Sequence, residues 1–245
     1  MLHGLILFSF PGVPHVRCAF GTRIFGNVAF KPSEGMAAPS PSRMRLAACL
    51  PGADGFAEVR QVHGAKVLYE PETQDPAAEP ENEADGMAAT RAGLALMIKT
   101  ADCQPILLAH EKGRHILALH CGWRGSRLDF PFLAVREFCG RYRLDPAELW
   151  AVRGPSLGPA AAEFVHFDEE WGGDYLPWYR PKERSMDLWS LTRSQLARAG
   201  LKAERILGLD LCTFEGHETF FSYRHARRCG SEDGRQGSLI WIARK

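Results

Sequence analysis

GLALMIKTADCQPILLAHEKGRHILALHCG, residues 93–122, holds three near-continuously apolar runs. A polar corner, Ala101-Asp102-Cys103, separates the first two, and a charged turn at 111–114 separates the last two. Runs this short and this apolar, broken by turn residues, predict strands covered on both faces. The third run ends in His120, followed at once by Gly-Trp-Arg-Gly. A buried strand therefore delivers an imidazole to a glycine-flanked turn.

Working outward, EVRQVHGAKVLYE (58–70) predicts two short strands around a His-Gly turn. PETQDPAAEPENEA (71–84) is acidic and proline-rich and reads as an exposed loop, as does KPSEGMAAPSPSR (31–43). MLHGLILFSFPGVP at the start has no early basic residue and reads as an opening strand rather than a signal peptide. Downstream, Asp129 is placed to cap a helix with Pro131 in its first turn and Phe130, Leu133, Ala134 and Phe138 inward. RSMDLWSLTRSQLARAGL (184–201) predicts a second helix, with Leu188, Leu191, Leu196 and Ala199 inward and Gly200 closing it. GSLIWIARK is a last strand. The expected fold is a single mixed α/β domain over 1–245, with a sandwich-like β core flanked by helices.

At 245 residues the chain can bury a sizeable core without staples. The formal net charge of +1 leaves no electrostatic footprint for nucleic acid or a membrane surface. No apolar stretch is long enough to span a bilayer. Seven scattered cysteines, odd in number and without CxxC spacing, predict reduced thiols in a cytosolic protein.

An antiparallel turn centred between Lys112 and Gly113 sets His120 opposite Pro105. Cys103, two residues beyond Pro105, then shares its face. Such diagonal neighbours lie about 7–8 Å apart, within reach of one ion; a one-residue slip would put them on opposite faces. His63, at the Val-His-Gly turn, is the natural third ligand, although spacing alone does not bring it there. One thiolate and two imidazoles suit zinc, and three protein ligands leave a fourth position open, as in catalytic sites. The plainer alternatives are a satisfied core histidine at 120 and an inert buried thiol at 103. No standard zinc-finger spacing relates the two.

QVHG (61–64), ADGMAATRAGLALMIKTADCQPILL (84–108) and ALHCGWRG (118–125) resemble the laccase-domain family, also called polyphenol oxidases. RGPSLGPAAAEF (153–164) and CTFEGHETFFSYRHARR with GRQGSLIWI resemble its later segments, in order along most of the chain. The resemblance implies that His63, Cys103 and His120 bind a metal, usually zinc, and that Arg23 of Gly-Thr-Arg lines the site. The chain departs from the family pattern after Arg23, where IFGNVAF replaces Gly-Gly-Val-Ser and a Ser-Leu-Asn-Leu strand, and in GPSLGPAAAEF, which lacks the usual cysteines.

Three activities are implied by the resemblance: copper-dependent phenol oxidation, purine nucleoside phosphorolysis with adenosine deamination, and editing of peptidoglycan precursors. Multicopper clusters use many histidines in His-x-His pairs. The histidines here stand at 3, 15, 63, 110, 115, 120, 166, 217 and 225, none two apart. A single copper with Met87 or Met97 as axial ligand stays open. So does a metal-free thiol enzyme with Cys103 as nucleophile and His120 as base. The leading expectation is a zinc-dependent enzyme acting on adenosine, inosine or methylthioadenosine with phosphate. Arg23, Arg124 and Arg224 are candidate phosphate ligands, set against ordinary surface ion pairing. Asp102 is expected to orient a ligand imidazole, or else to act as general acid or base. Trp123 either stacks on a base or packs.

Overall fold

The apolar runs on either side of the Ala101-Asp102-Cys103 corner fold as strands. In the computed structural model, which describes residues 3–30 and 40–244, the chain begins with β1 (Leu5–Ser9), β2 (Val16–Gly21), β3 (Gly55–Ala57), β4 (Val67–Tyr69), β5 (Gly86–Ala89), β6 (Leu94–Thr100) and β7 (Gln104–His110). It continues with β8 (Ile116–Cys121), β9 (Leu149–Arg153), β10 (Tyr179–Arg180), β11 (Ser185–Met186), β12 (Ile206–Gly208) and β13 (Gln236–Ile242). The helices are α1 (Pro41–Cys49), α2 (Trp123–Arg127), α3 (Phe130–Tyr142), α4 (Phe167–Glu170), α5 (Leu188–Arg198) and α6 (Tyr223–Cys229).

Strand parity sorts the apolar side chains into layers. Leu94, Leu96 and Ile98 of β6 meet Leu107, Ala109, Ile116 and Ala118 of β7 and β8 in one cluster. Ala95 and Met97, the alternate residues of β6, pack with Phe56, Leu46 and Trp241 instead. Ile106, Leu108, Leu117 and Leu119 face Phe130, Phe138 and Leu196. The result is a sandwich of two mixed sheets. One has the order β1-β2-β13-β6-β3 and the other β12-β9-β7-β8-β5-β4, with α1 outside the first and α3 and α5 outside the second. This is the mixed α/β domain with flanked β core that the sequence predicts. Strands buried on both faces are why its central runs show no polar alternation.

The β7–β8 register is the one expected, with Pro105 opposite His120. Elsewhere the structure departs from expectation. Residues 31–39 of the proposed first loop lie outside the described residues, and 41–43 belong to α1, which Arg43 and Leu46 bury against the sheet. Only one of the two strands expected around His63 forms, as β4; on the other side Arg60 makes a lone bridge to Glu83. Asp129 precedes α3 in a left-handed conformation without a capping bond; its carboxylate is taken by Arg198 at 2.7 Å. Leu133 is 47% exposed rather than inward. The second helix starts at Leu188, because 185–186 pairs with 179–180; Gly200, at φ +110°, ends the following turn. The cysteines are free thiols, and no helix among the described residues is long and apolar enough to cross a membrane.

Candidate metal centre

Cys103 and His120 continue the inter-sheet faces of β7 and β8 past the end of the apolar cluster. His63 reaches the same spot from the turn before β4. One donor atom from each lies within 4.8 Å of the others. His63 Nε2 stands 3.8 Å from Cys103 Sγ, and the two imidazoles meet edge to face with centroids 4.8 Å apart. Tetrahedral zinc would hold its sulfur and nitrogen donors about 3.5 Å from one another, so the His63–Cys103 pair at 3.8 Å is nearly in place and the widest pair must close by up to about 1.3 Å. Space for the trio depends on Gly122. A Cβ there would come 2.9 Å from Cys103 Sγ, closer than such contacts come, and 3.1 Å from His63 Cδ2, so both ligands would have to shift. The donor set and this cradle fit a metal ion.

His120 is buried, His63 exposed and Cys103 half-buried. Burial pushes the Cys103 thiol up, but His120 and His63 pull it down more strongly, to about 6. Burial pushes His120 down, yet the Cys103 sulfur and the Asp85 carboxylate bring it up to about 9. Both shifts favour a Cys103 thiolate beside a His120 imidazolium in the metal-free protein, and the thiolate is the form of sulfur that metal binding requires.

The carboxylate that meets the ligands is Asp85, which is fully buried. Its Oδ1 accepts from His120 Nδ1 at 2.8 Å and from the His63 amide at 2.9 Å. Burial opposes ionisation of Asp85, but the His120 bond and the amide donors outweigh it and hold its carboxyl below the ordinary value. Sequence reasoning missed this residue. The signal was the Ala84-Asp85-Gly86 block, but its position beside His120 follows from the β5–β8 pairing.

Asp102 does something other than orient an imidazole. At φ 92° it turns the chain left-handed before Cys103. Its carboxylate accepts from Thr213 Oγ1 and from the Arg224 amide, both at 2.7 Å, while its carbonyl accepts from Leu157 at 2.8 Å. It ties the cysteine corner to the 153–164 and 212–228 stretches.

The trio opens into a cavity of about 780 Å³, within the size range of small-molecule sites. Trp123, Leu157, Phe164 and Tyr223 form apolar wall, and Lys99, Arg60, Arg124, Arg224, Arg227, Arg228 and Arg235 line it with positive charge. Arg124 lies 4.3 Å over Trp123 and has no carboxylate partner among the described residues. Trp123 both packs against Phe164 and Trp171 and lines the cavity. Arg23 is not brought to this lining. Its guanidinium pairs with Glu232 at 3.1 Å and covers Phe221. Met87 and Met97 are fully buried in the apolar clusters.

A family model described as multi-copper polyphenol oxidoreductase laccase matches residues 26–243. A purine nucleoside phosphorylase of Xylella fastidiosa strain Temecula1 is 38% identical over 192 residues, covering 75% of this chain and 71% of that protein. Purine nucleoside phosphorylase YfiH of Escherichia coli K12 is 31% identical over 192 residues, covering 75% and 72%. Among solved structures, YlmD from Geobacillus stearothermophilus superposes with a TM-score of 0.83 at 22% identity, over 99% of this chain and 97% of that one. The Bacillus licheniformis protein YfiH gives 0.76 at 21% identity, over 93% and 92%. These structural likenesses speak to fold alone.

Proposed function

The chain belongs to the family described as multi-copper polyphenol oxidoreductase laccase, and from that membership, the names of its relatives and the cavity's chemistry we propose that it is a zinc-dependent enzyme of purine nucleosides, with His63, Cys103 and His120 as metal ligands. The observation that carries this reading is the convergence of three donors within 4.8 Å on the wall of an arginine-lined cavity.

Phosphorolysis breaks the bond between the ribose C1′ and the purine nitrogen as a phosphate oxygen bonds to C1′. The purine leaves with the electron pair and takes up a proton. Arg124, which has no carboxylate partner among the described residues, is the first candidate to hold phosphate, since a guanidinium keeps its charge and binds oxygens in pairs; Arg224 joins it only by giving up its bond to the Glu163 carbonyl. Trp123, Phe164 and Tyr223 offer the apolar surface on which a base can lie. Asp102 keeps Arg224 beside the cysteine corner through its backbone bond. Zinc, when bound, would supply Lewis acidity next to these groups. Adenosine deamination, with inosine as product, and cleavage of methylthioadenosine belong to the same proposal. Arg23 fits a supporting role better than a catalytic one, because Glu232 occupies it.

Phenol oxidation by a copper cluster has less support. Among the described residues the trio is the one group of three or more histidine, cysteine or acidic side chains arranged to share an ion. His217 and His225 stack on each other at 3.8 Å, and His110 is bound to Glu148 at 2.8 Å.

The test is to incubate zinc-loaded protein with adenosine or inosine and phosphate and to separate the products by chromatography. Free base and ribose 1-phosphate in equal amounts are expected, lost in Cys103→Ala. Inosine from adenosine is expected without phosphate. Neither product from a stoichiometrically zinc-loaded protein would refute the reading.

A further inference from the structure

Four N–H donors from the two histidine segments end on one carboxylate. Asp85 Oδ1 accepts from His120 Nδ1 at 2.8 Å and from the His63 amide at 2.9 Å. Its Oδ2 accepts from the Gly64 amide at 2.6 Å and the Val62 amide at 3.3 Å. The Asp85 backbone continues the clamp: its carbonyl takes the His120 amide at 2.7 Å, and its own amide donates to the Lys66 carbonyl at 3.0 Å. Thus 62–66 is pinned at both ends. His63 within it sits at φ 61°, a left-handed conformation that costs a non-glycine residue free energy and needs a surrounding structure to hold it.

We propose that Asp85 is the positioning residue for both histidine ligands at once, setting the ring tautomer of His120 and the backbone turn that aims His63. The inference rests on the metal-centre part of the function proposed above. The His120 bond keeps a proton on Nδ1, so Nε2 is the nitrogen that binds metal once it gives up its own proton. The Oδ2 bonds form a turn that presents the His63 ring towards Cys103. An uncharged isostere cannot do both. An asparagine at 85 has one accepting oxygen, so its NH2 group must face either the Gly64 and Val62 amides or the His120 Nδ1 and His63 amide. In the first case two donors confront a donor and the turn opens. In the second, His120 moves its proton to Nε2 and loses the ligating nitrogen.

The test compares wild-type and Asp85→Asn proteins for zinc affinity, by competition with a chelator of known affinity, and for the visible spectrum of cobalt(II). Circular dichroism of the metal-free proteins checks folding. A folded variant with zinc binding weakened about 10- to 100-fold and an altered cobalt spectrum is expected. Equal affinity with an unchanged spectrum would overturn the proposal. Should the variant not fold, nitrogen-15 imidazole shifts of the wild type decide: zinc on His120 Nε2 with Nδ1 protonated supports the role, and zinc on Nδ1 sinks it. A wild type that binds zinc yet leaves nucleosides untouched removes the reaction and leaves this role standing. One that binds no zinc removes both.

Discussion

At Cys103 two opposed effects act on one sulfur. Burial raises its pKa, and the neighbouring imidazoles lower it to about 6, against about 8.5 for a free cysteine. A lowered acid contributes stability that is lost as pH falls through the folded value. The His120 contribution, raised to about 9, is lost instead as pH rises through that value. The thiolate–imidazolium pair of the chelated protein therefore holds between about pH 6 and 9. Iodoacetamide should alkylate Cys103 in chelated protein half-maximally near pH 6, measured by mass spectrometry of its peptide. Buried Cys121, pushed up to about 12 by desolvation, stays unlabelled below pH 9. A Cys103 profile centred above pH 8 would contradict the pairing. Much of this geometry was legible in the sequence. The parity of Cys103 and His120 needed only one turn position, since β7 and β8 are neighbours in the chain. Asp85 was not legible, because it reaches His120 through pairing of β5 with β8 across two intervening strands, which local periodicity cannot show.

On α3, 3.6-residue periodicity located the element and its buried face, through Phe130, Ala134 and Phe138, but misjudged Leu133. Leu133 is half-exposed while Phe138 is fully buried. Phe138→Ala should cost about 3–5 kcal/mol, whereas Leu133→Ala should stay within about 0.5 kcal/mol of wild type, both read by urea unfolding. Equal losses would mean that the helix is rotated. α1 shows the opposite limit. Its Pro/Ser-rich start reads as a loop, yet Leu46 packs under the sheet and Arg43 is fully buried. There Arg43 bonds both oxygens of Glu58, and Glu58 also holds Lys99 at 2.5 Å. Tertiary contacts overrode weak local propensity, and no single-sequence pattern announces such a partner. Glu58→Gln leaves one buried guanidinium uncompensated, so a loss of about 3–5 kcal/mol in urea unfolding is expected. A loss below about 1 kcal/mol, the range of surface pairs, would show that water reaches the pair.

Across the whole molecule, charge is nearly balanced at +1 but unevenly placed. Bulk composition could not show this, because the basic residues of the cavity come from the segment before β4, β6, α2, α6 and the approach to β13, and only folding gathers them. Several are partly neutralised: Arg60 by Glu83, Arg228 by Glu163 and Arg235 by Asp233. Arg124 is not, and Arg224 spends its side chain on the Glu163 carbonyl at 3.2 Å. A concave, positively charged wall focuses field on an incoming anion, and mobile ions screen that field. Between about 0.1 and 1 M potassium chloride the screening length falls from about 10 to about 3 Å. Under the proposed reaction, kcat/KM for phosphate should drop about 10-fold over that range, while the KM of the uncharged nucleoside stays level. Arg124→Ala should lower kcat/KM for phosphate at low salt and flatten its salt dependence without changing zinc content. If phosphate and nucleoside kinetics respond to salt alike, the basic wall does not steer the anion, and phosphate binds somewhere other than beside the trio.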